Sequence, residues 1–302
     1  MNSNKKYINS FGEEVVVPSE LVSEFEKVRA EIGDDEFFKK ISYRFGSPVI
    51  FFARSLVINL PGDCYANCWY CIDASLRRST ISELDFLDVV ERTIKEFPEM
   101  VEVAITGGTL ERDNFLKLIK MLKSAYPDAR LTWNTNGPNI DISYKEIVNQ
   151  IDYVNLHRNA IDEDENFKIF RSTAPIISIK DAKELFGDKL FLRVTIDENF
   201  NLDDWAALGI PLYLNQLLPS RGKNKERYEE VLAQLDFDRK SDLRRHNEYK
   251  NLSYNGLPVR VCVGDTLNKR KKGRYPVCLN VVIVHRNGKV GGTWFYDDKN
   301  LI

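Results

Sequence analysis

Cys64, Cys68 and Cys71 fall within eight residues, in the run Cys64-Tyr-Ala-Asn-Cys68-Trp-Tyr-Cys71, directly after the apolar stretch Ser55–Leu60 and the turn-forming Pro61-Gly62-Asp63. Three thiolates on so short a loop can converge on one metal centre. A four-iron cluster has four metal corners, so three protein ligands leave one iron open to a small molecule, much as catalytic zinc keeps a free position. Structural zinc needs a fourth ligand, and His157, His246 and His285 show no paired spacing with each other to supply it. An iron-sulfur site, a zinc site and an inert thiol-rich loop are the readings that spacing alone leaves. The two other cysteines, Cys262 and Cys278, lie far downstream. An odd total without a secretory signal does not make a disulfide framework.

A loop positions ligands only if rigid elements hold its ends. From Arg54 onward the sequence repeats a short apolar run, a polar loop and an amphipathic helix. Strands are predicted at Ser55–Leu60, Val101–Thr106, Arg130–Asn134, Tyr153–His157, Leu190–Ile196 and Pro211–Asn215. Helices are predicted at Ile81–Phe97, Asn114–Ala125, Tyr144–Gln150, Ile179–Phe186 and Asp203–Leu208. Alternation of this kind implies right-handed crossovers and a parallel sheet. Six units with no nucleotide-binding glycine fingerprint suit a partial (β/α)6 barrel better than a doubly wound sheet.

Within those strands one alternate face turns polar towards the C-terminal end: Asn59, Thr106, Asn134, Asn136, Asn155, His157, Arg193, Thr195 and Asn215. The opposite face keeps Leu56, Ile58, Val103, Ile105, Leu131, Val154, Leu156, Val194 and Leu214. Buried polar groups are costly without partners. The pattern therefore predicts a wet lumen at the C-terminal rim, where barrel active sites sit; simple capping of strand ends is the plainer alternative.

The fold class expected is α/β: a barrel core at 54–218, a short helical N-terminal extension at 1–53 with a helix over Ser19–Ile41, and a C-terminal α+β extension at 219–302. That extension is expected to contain a long polar helix (Lys225–Tyr249), a strand at Pro258–Val263 and a hairpin turning at Asn287-Gly288, and to close one side of the barrel. With 43% hydrophobic and 29% charged residues, the chain can bury a core and does not read as disordered. The longest apolar stretches, Pro48–Ala53 and Val281–Val284, fall far short of the ~20 residues of a membrane span. No apolar run follows Lys5-Lys6, so the expectation is a cytoplasmic protein with reduced thiols.

C-x3-C-x2-C, with an aromatic before the last cysteine and in the loop after the first barrel strand, resembles the radical S-adenosylmethionine (radical SAM) family. The resemblance covers roughly Arg54–Leu217. It implies a 4Fe-4S cluster on Cys64, Cys68 and Cys71, with S-adenosylmethionine chelating the fourth iron. Reductive cleavage would give methionine and a 5′-deoxyadenosyl radical that takes hydrogen from a substrate, with an external donor such as flavodoxin or ferredoxin supplying the electron. Thr106-Gly107-Gly108-Thr109 stands where the family usually has a Gly-Gly-Glu segment beside the methionine amino group. Thr109 occupies the Glu position, a departure that Glu111 is near enough in sequence to offset. Asn134-Thr135-Asn136-Gly137 is similar to the family's Thr-Asn-Gly, Tyr70 matches the aromatic position near adenine, and Arg193 and Asn155 correspond to groups for the SAM carboxylate and ribose.

Cys262 and Cys278 have three readings: a second cluster, for which two cysteines are too few without another ligand; a thiol that donates hydrogen to a product radical; and small buried hydrophobes beside Val261, Val263 and Val277. Residues 219–274 hold fifteen Lys and Arg against eight Asp and Glu, although the whole chain is near neutral at −2. Lys269-Arg270-Lys271-Lys272-Gly273-Arg274, with Arg221, Lys223 and Arg260, is either a solvated loop or an attractor for a small phosphorylated or nucleotide-like substrate. No recognised nucleic-acid module accompanies the charge. His157, Tyr213 and Asn215 are further substrate-contact candidates. The competing functions are radical modification of a peptide or nucleic acid, which the short N-terminal region mildly disfavours for peptides, and a non-catalytic iron-sulfur or redox-sensing protein.

Overall fold

The computed structural model describes residues 4–44, 46–62, 64–68, 81–216, 225–236, 248–262 and 278–292. Ahead of Ser55 the chain is more than helical. Antiparallel strands β1 (Lys5–Ile8) and β2 (Glu14–Val17) precede helices α1 (Val22–Ile32) and α2 (Asp34–Lys40), and a second antiparallel pair follows, β3 (Ile41–Arg44) and β4 (Ser47–Phe51). The helix expected over Ser19–Ile41 is thus two, broken at Gly33, whose φ of +82° lies outside helical space. The four strands escaped notice because alternation over four or five residues barely differs from chance. Tyr7, Val15, Val17, Phe25, Phe37, Ile41 and Ile50 bury one another in a small apolar cluster separate from the main core.

The alternating region then runs β5 (Ser55–Leu60), α3 (Glu83–Glu96), β6 (Glu102–Gly107), α4 (Arg112–Ala125), β7 (Arg130–Thr135), α5 (Lys145–Gln150), β8 (Tyr153–Arg158), α6 (Glu163–Phe170), α7 (Ile179–Phe186), β9 (Leu190–Ile196), α8 (Leu202–Ala206) and β10 (Leu212–Gln216). All six expected strands form, their ends shifted by at most one residue. Helix α6 was not expected. Its opening, Glu163-Asp164-Glu165-Asn166, is polar throughout, and its fold depends on an Asp162 cap that accepts from the Glu165 N–H.

Strands β5 to β10 lie side by side in chain order, every neighbouring pair parallel. The order never reverses along this run, so right-handed crossovers carry each helix to the same face. That face holds Leu56, Ile58, Val103, Ile105, Leu131, Val154, Leu156, Val194 and Leu214, buried together with Phe86, Leu118, Ile147, Phe186 and Trp205 from the helices. The polar set falls on the other face.

The last segment contributes α9 (Lys225–Ala233), β11 (Glu248–Tyr254), β12 (Leu257–Cys262), β13 (Cys278–Leu279), β14 (Val282–Val284) and β15 (Val290–Gly291). The polar helix expected to reach Tyr249 therefore stops at Ala233, and Glu248–Tyr254 is a strand. Asn255 and Gly256, at φ +49° and +79°, turn it into an antiparallel hairpin with β12, the two-residue turn that Asn-Gly favours. The Asn287-Gly288 hairpin is present between β14 and β15. Strand β12 pairs parallel with β10, and β14 pairs parallel with β5. The extension thus flanks both ends of the six-strand run instead of one side. Strand β13 leaves that sheet to join β4. Among the described residues no helix is long and apolar enough to cross a membrane.

Candidate functional site

The chain leaves β5 through Pro61-Gly62 and reaches Cys64 at the C-terminal edge of the sheet. Three other segments grip this short loop. The first is the turn after β6: a Cβ on Gly62 would lie 1.9 Å from the Thr109 carbonyl oxygen, and one on Gly108 would lie 1.9 Å from the Gly62 carbonyl oxygen. The two turns are in backbone contact, which only glycine permits. Gly107, at φ +96°, is equally constrained, since a Cβ there would meet Asn59 Oδ1. The second grip comes from the segment after α6. The Asn67 N–H donates to the Phe170 carbonyl at 2.7 Å, and the Thr173 N–H donates to the Tyr65 carbonyl at 2.8 Å. The third is Arg286, whose Nη2 donates to the Gly62 carbonyl at 2.6 Å.

Cys64 and Cys68 are half-buried in this loop and form no disulfide. Cys71 and Tyr70 lie outside the described residues, as does Lys271. Among the described residues no three His, Cys, Asp or Glu side chains gather as metal ligands.

Across from the loop, strand register sets the polar residues in rows. Asn59 is in register with Thr106, Asn134 with Asn155, His157 with Arg193, Arg193 with Tyr213, Tyr213 with Arg260, and Asn215 with both Thr195 and Cys262. Residues paired across parallel strands share a face, so the expected polar face is a real surface of the sheet. Its side chains interlock. Asn155 Nδ2 donates to Asn134 Oδ1 at 2.8 Å, while Arg193 reaches the same oxygen at 3.5 Å and Asn215 Oδ1 at 3.2 Å. The Asn136 backbone carbonyl instead accepts, at 2.9 Å, from Arg158, a residue that shares its strand face with Val154 and Leu156.

Two features of this face stand out. Asn155 is 4% exposed, yet its Oδ1 has no hydrogen-bond donor among the described residues, and an acceptor is costly to bury unsatisfied. Arg193 and Arg260 meet ring faces instead of carboxylates. Arg193 lies 5.2 Å from the Tyr213 centroid, and Arg260 lies 4.1 Å from that of Phe191 and 4.4 Å from that of Tyr153. Neither guanidinium has a carboxylate partner among the described residues. Glu111 does not approach them: it is exposed at the start of α4, its N–H held by Glu83.

His157 sits on this face with its Nε2 3.2 Å from Thr195 Oγ1. Burial, then the neighbouring Arg193 and Arg158 charges, push its pKa down to about 3, so the ring is neutral at physiological pH. Its ordinary value is near 6.5, so between pH 6.5 and 3 the unfolded chain holds a proton that the folded one refuses. Stability from this residue is complete above pH 6.5 and drains as pH falls through that window, by up to about 1.4 kcal/mol per pH unit. His285, pushed down to about 4 by burial, acts with the same sign. The His157→Gln variant should show a clearly shallower fall in urea-unfolding free energy between pH 6.5 and 4.5 than the wild type; an unchanged slope would show that His157 is protonated in the fold.

The two downstream cysteines are not brought together. Cys262 ends β12 in the large sheet, in register with Asn215. Cys278 lies in the three-stranded sheet opposite Ile50 and packs on the N-terminal apolar cluster, where burial first and Glu31 second raise its thiol pKa. Sequence reasoning also passed over Arg286, Arg158 and Thr173. Arg158 is fully buried and donates to the backbone carbonyls of Asn136, His157 and Ile177, tying the end of β8 to the segments after β7 and before α7. No local pattern announces such residues, because their partners are backbone groups distant in sequence.

No family model matches the chain, and no curated protein does. Solved structures do share its fold. Streptococcus suis SuiB bound to precursor peptide SuiA aligns over 96% of this chain and 82% of its own, with a TM-score of 0.54 at 15% identity. SuiB bound to S-adenosylmethionine aligns over 96% and 81%, with a TM-score of 0.53 at 13% identity. anSMEcpe with bound AdoMet aligns over 83% and 76%, with a TM-score of 0.50 at 16% identity. The parallel sheet and its flanking helices are thus a fold this chain has in common with radical SAM enzymes.

Proposed function

We propose that the chain is a radical SAM enzyme whose six-strand run curls into a partial (β/α)6 barrel, with the polar face as its lumen. The observation that carries this reading is the placement of Cys64 and Cys68 on a backbone-clamped loop at the C-terminal edge of the sheet face that bears Asn134, Asn155 and Arg193. Cys64, Cys68 and Cys71 would hold a 4Fe-4S cluster, and the half-buried thiols in a gripped loop fit that role. When bound, the cluster supplies the electron that cleaves S-adenosylmethionine into methionine and a 5′-deoxyadenosyl radical able to abstract hydrogen. The chain's own residues bind and orient. Gly107 and Gly108 hold the turn beside the loop, the orphaned Asn155 Oδ1 accepts a ribose hydroxyl, and Arg193 takes the carboxylate of S-adenosylmethionine. Tyr70 would lie near adenine. Neutral His157 would contact the substrate through hydrogen bonds and not through charge.

The substrate we propose is a small anion, because Arg260 offers a guanidinium that meets no carboxylate among the described residues, and Lys271 with its basic neighbours would steer an anion inward. Tyr213 and Asn215 would contact it from the last core strand. A peptide substrate is the second reading, supported by fold neighbours solved with the SuiA precursor peptide and with the Cp18Cys peptide. An external flavodoxin or ferredoxin would deliver the electron.

Anaerobic reconstitution with iron and sulfide tests the reaction class. The expected result is about four irons per chain and dithionite-dependent formation of 5′-deoxyadenosine. An intact cluster that never cleaves S-adenosylmethionine would instead mark a non-catalytic iron-sulfur protein.

A further inference from the structure

Arg286 is 1% exposed, and burying a guanidinium is expensive unless its donors are engaged. Its Nη2 is spent on the loop that leads to Cys64, donating to the Gly62 carbonyl at 2.6 Å and reaching the Pro61 carbonyl at 3.4 Å. The hairpin that carries Arg286 is anchored independently of that loop. Strand β14 pairs with β5, and Gly288 at the turn packs on the approach to α3, where a Cβ would lie 2.4 Å from Ile81 Cδ1 and 3.6 Å from Val89 Cγ2 on the helix itself. A fixed hairpin thus extends one buried cation under the two residues that set the direction of the chain into the cysteine loop.

We propose that Arg286 is a positioning residue for the cluster ligands, so that the C-terminal extension holds the cysteine loop from below. This rests on the reading that Cys64, Cys68 and Cys71 bind a cluster. Three thiolates must meet their irons within a few tenths of an ångström, and supporting contacts hold ligands to that tolerance. The other grips, from Gly108, Thr173 and Phe170, act on Gly62, Tyr65 and Asn67 in turn. Arg286 alone among these approaches from the far end of the chain.

The test compares wild type, Arg286→Met and Arg286→Lys. In the metal-free protein, the alkylation rates of Cys64 and Cys278 with N-ethylmaleimide are mapped by mass spectrometry. Cys278, in the other sheet, reports general opening. The Met variant should raise Cys64 labelling about tenfold while Cys278 stays as in wild type, and Lys should restore part of the protection. After anaerobic reconstitution the Met variant should hold less than half the wild-type iron, with an altered electron paramagnetic resonance signature in what remains. Unchanged Cys64 labelling and a wild-type cluster spectrum in the Met variant would overturn the proposal. So would a parallel rise at Cys278, which would make Arg286 a support of the whole fold. Failure of wild type itself to load iron would instead defeat the reading of the three cysteines, and the labelling result would still decide what Arg286 holds.

Discussion

The Gly108→Ala variant should lose its iron and, with it, at least about 100-fold in 5′-deoxyadenosine formation, the scale expected when reacting groups are displaced by about 1 Å. The added Cβ would lie 1.9 Å from the Gly62 carbonyl oxygen, 2.8 Å from its carbon and 3.0 Å from the Leu60 carbonyl oxygen. All three are backbone atoms next to a strand end, so no side chain can rotate away. Strand β6 is paired on both sides, so the yielding partner is the Cys64 loop. Circular dichroism should still report a folded chain with a somewhat lower Tm, because the clash lies outside the main core. A Gly108→Ala protein that loads and reacts like wild type would mean that the two turns do not touch.

Arg193→Met carries the second large effect. The guanidinium bridges Asn134 and Asn215 and faces no carboxylate among the described residues. If it receives the carboxylate of S-adenosylmethionine, its removal costs a charge-assisted hydrogen bond, about 1.5–3 kcal/mol. The Kd for S-adenosylmethionine, measured by equilibrium dialysis on the reconstituted protein, should rise by about 10- to 100-fold with iron content unchanged. Arg260→Met makes the control: it should leave S-adenosylmethionine binding intact, since that side chain lies over Tyr153 and Phe191. A fall in iron content in the Arg193 variant would assign that residue to the scaffold instead.

The core strands were legible because each carries enough alternate apolar residues to show its period, and the polar face was legible because parallel register sums the same signal over six strands. What escaped is short or distant. Strands β1 to β4 are too brief to show alternation. The Tyr254-Asn255-Gly256-Leu257 turn was visible in principle, but the charged run from Lys225 to Lys250 looked helical and masked it. Helix α6 lacks an apolar opening. The grips on the cysteine loop were illegible for a different reason: Arg286 meets Gly62 across 224 positions, and a guanidinium bound to a carbonyl leaves no trace in either segment's composition. For Cys262 and Cys278 the sequence left three readings open, a shared second cluster among them, and the sheet assignment is what puts the two apart.

The sheet order also has a consequence for synthesis on the ribosome. Strand β5 is among the first elements of the core to emerge, yet its outer neighbour β14 is among the last. Until then β5 presents an unpaired apolar edge, the kind that invites association with other chains. The loop bearing Cys64 meanwhile lacks the contact from Arg286. Closing that edge requires a contact spanning most of the chain, a slow step by its loop-closure entropy. Ordering of the Cys64 loop is therefore a late event, timed by the arrival of the β14–β15 hairpin, and a ribosome that stops short of it releases a chain with an open β5 edge beside Cys64.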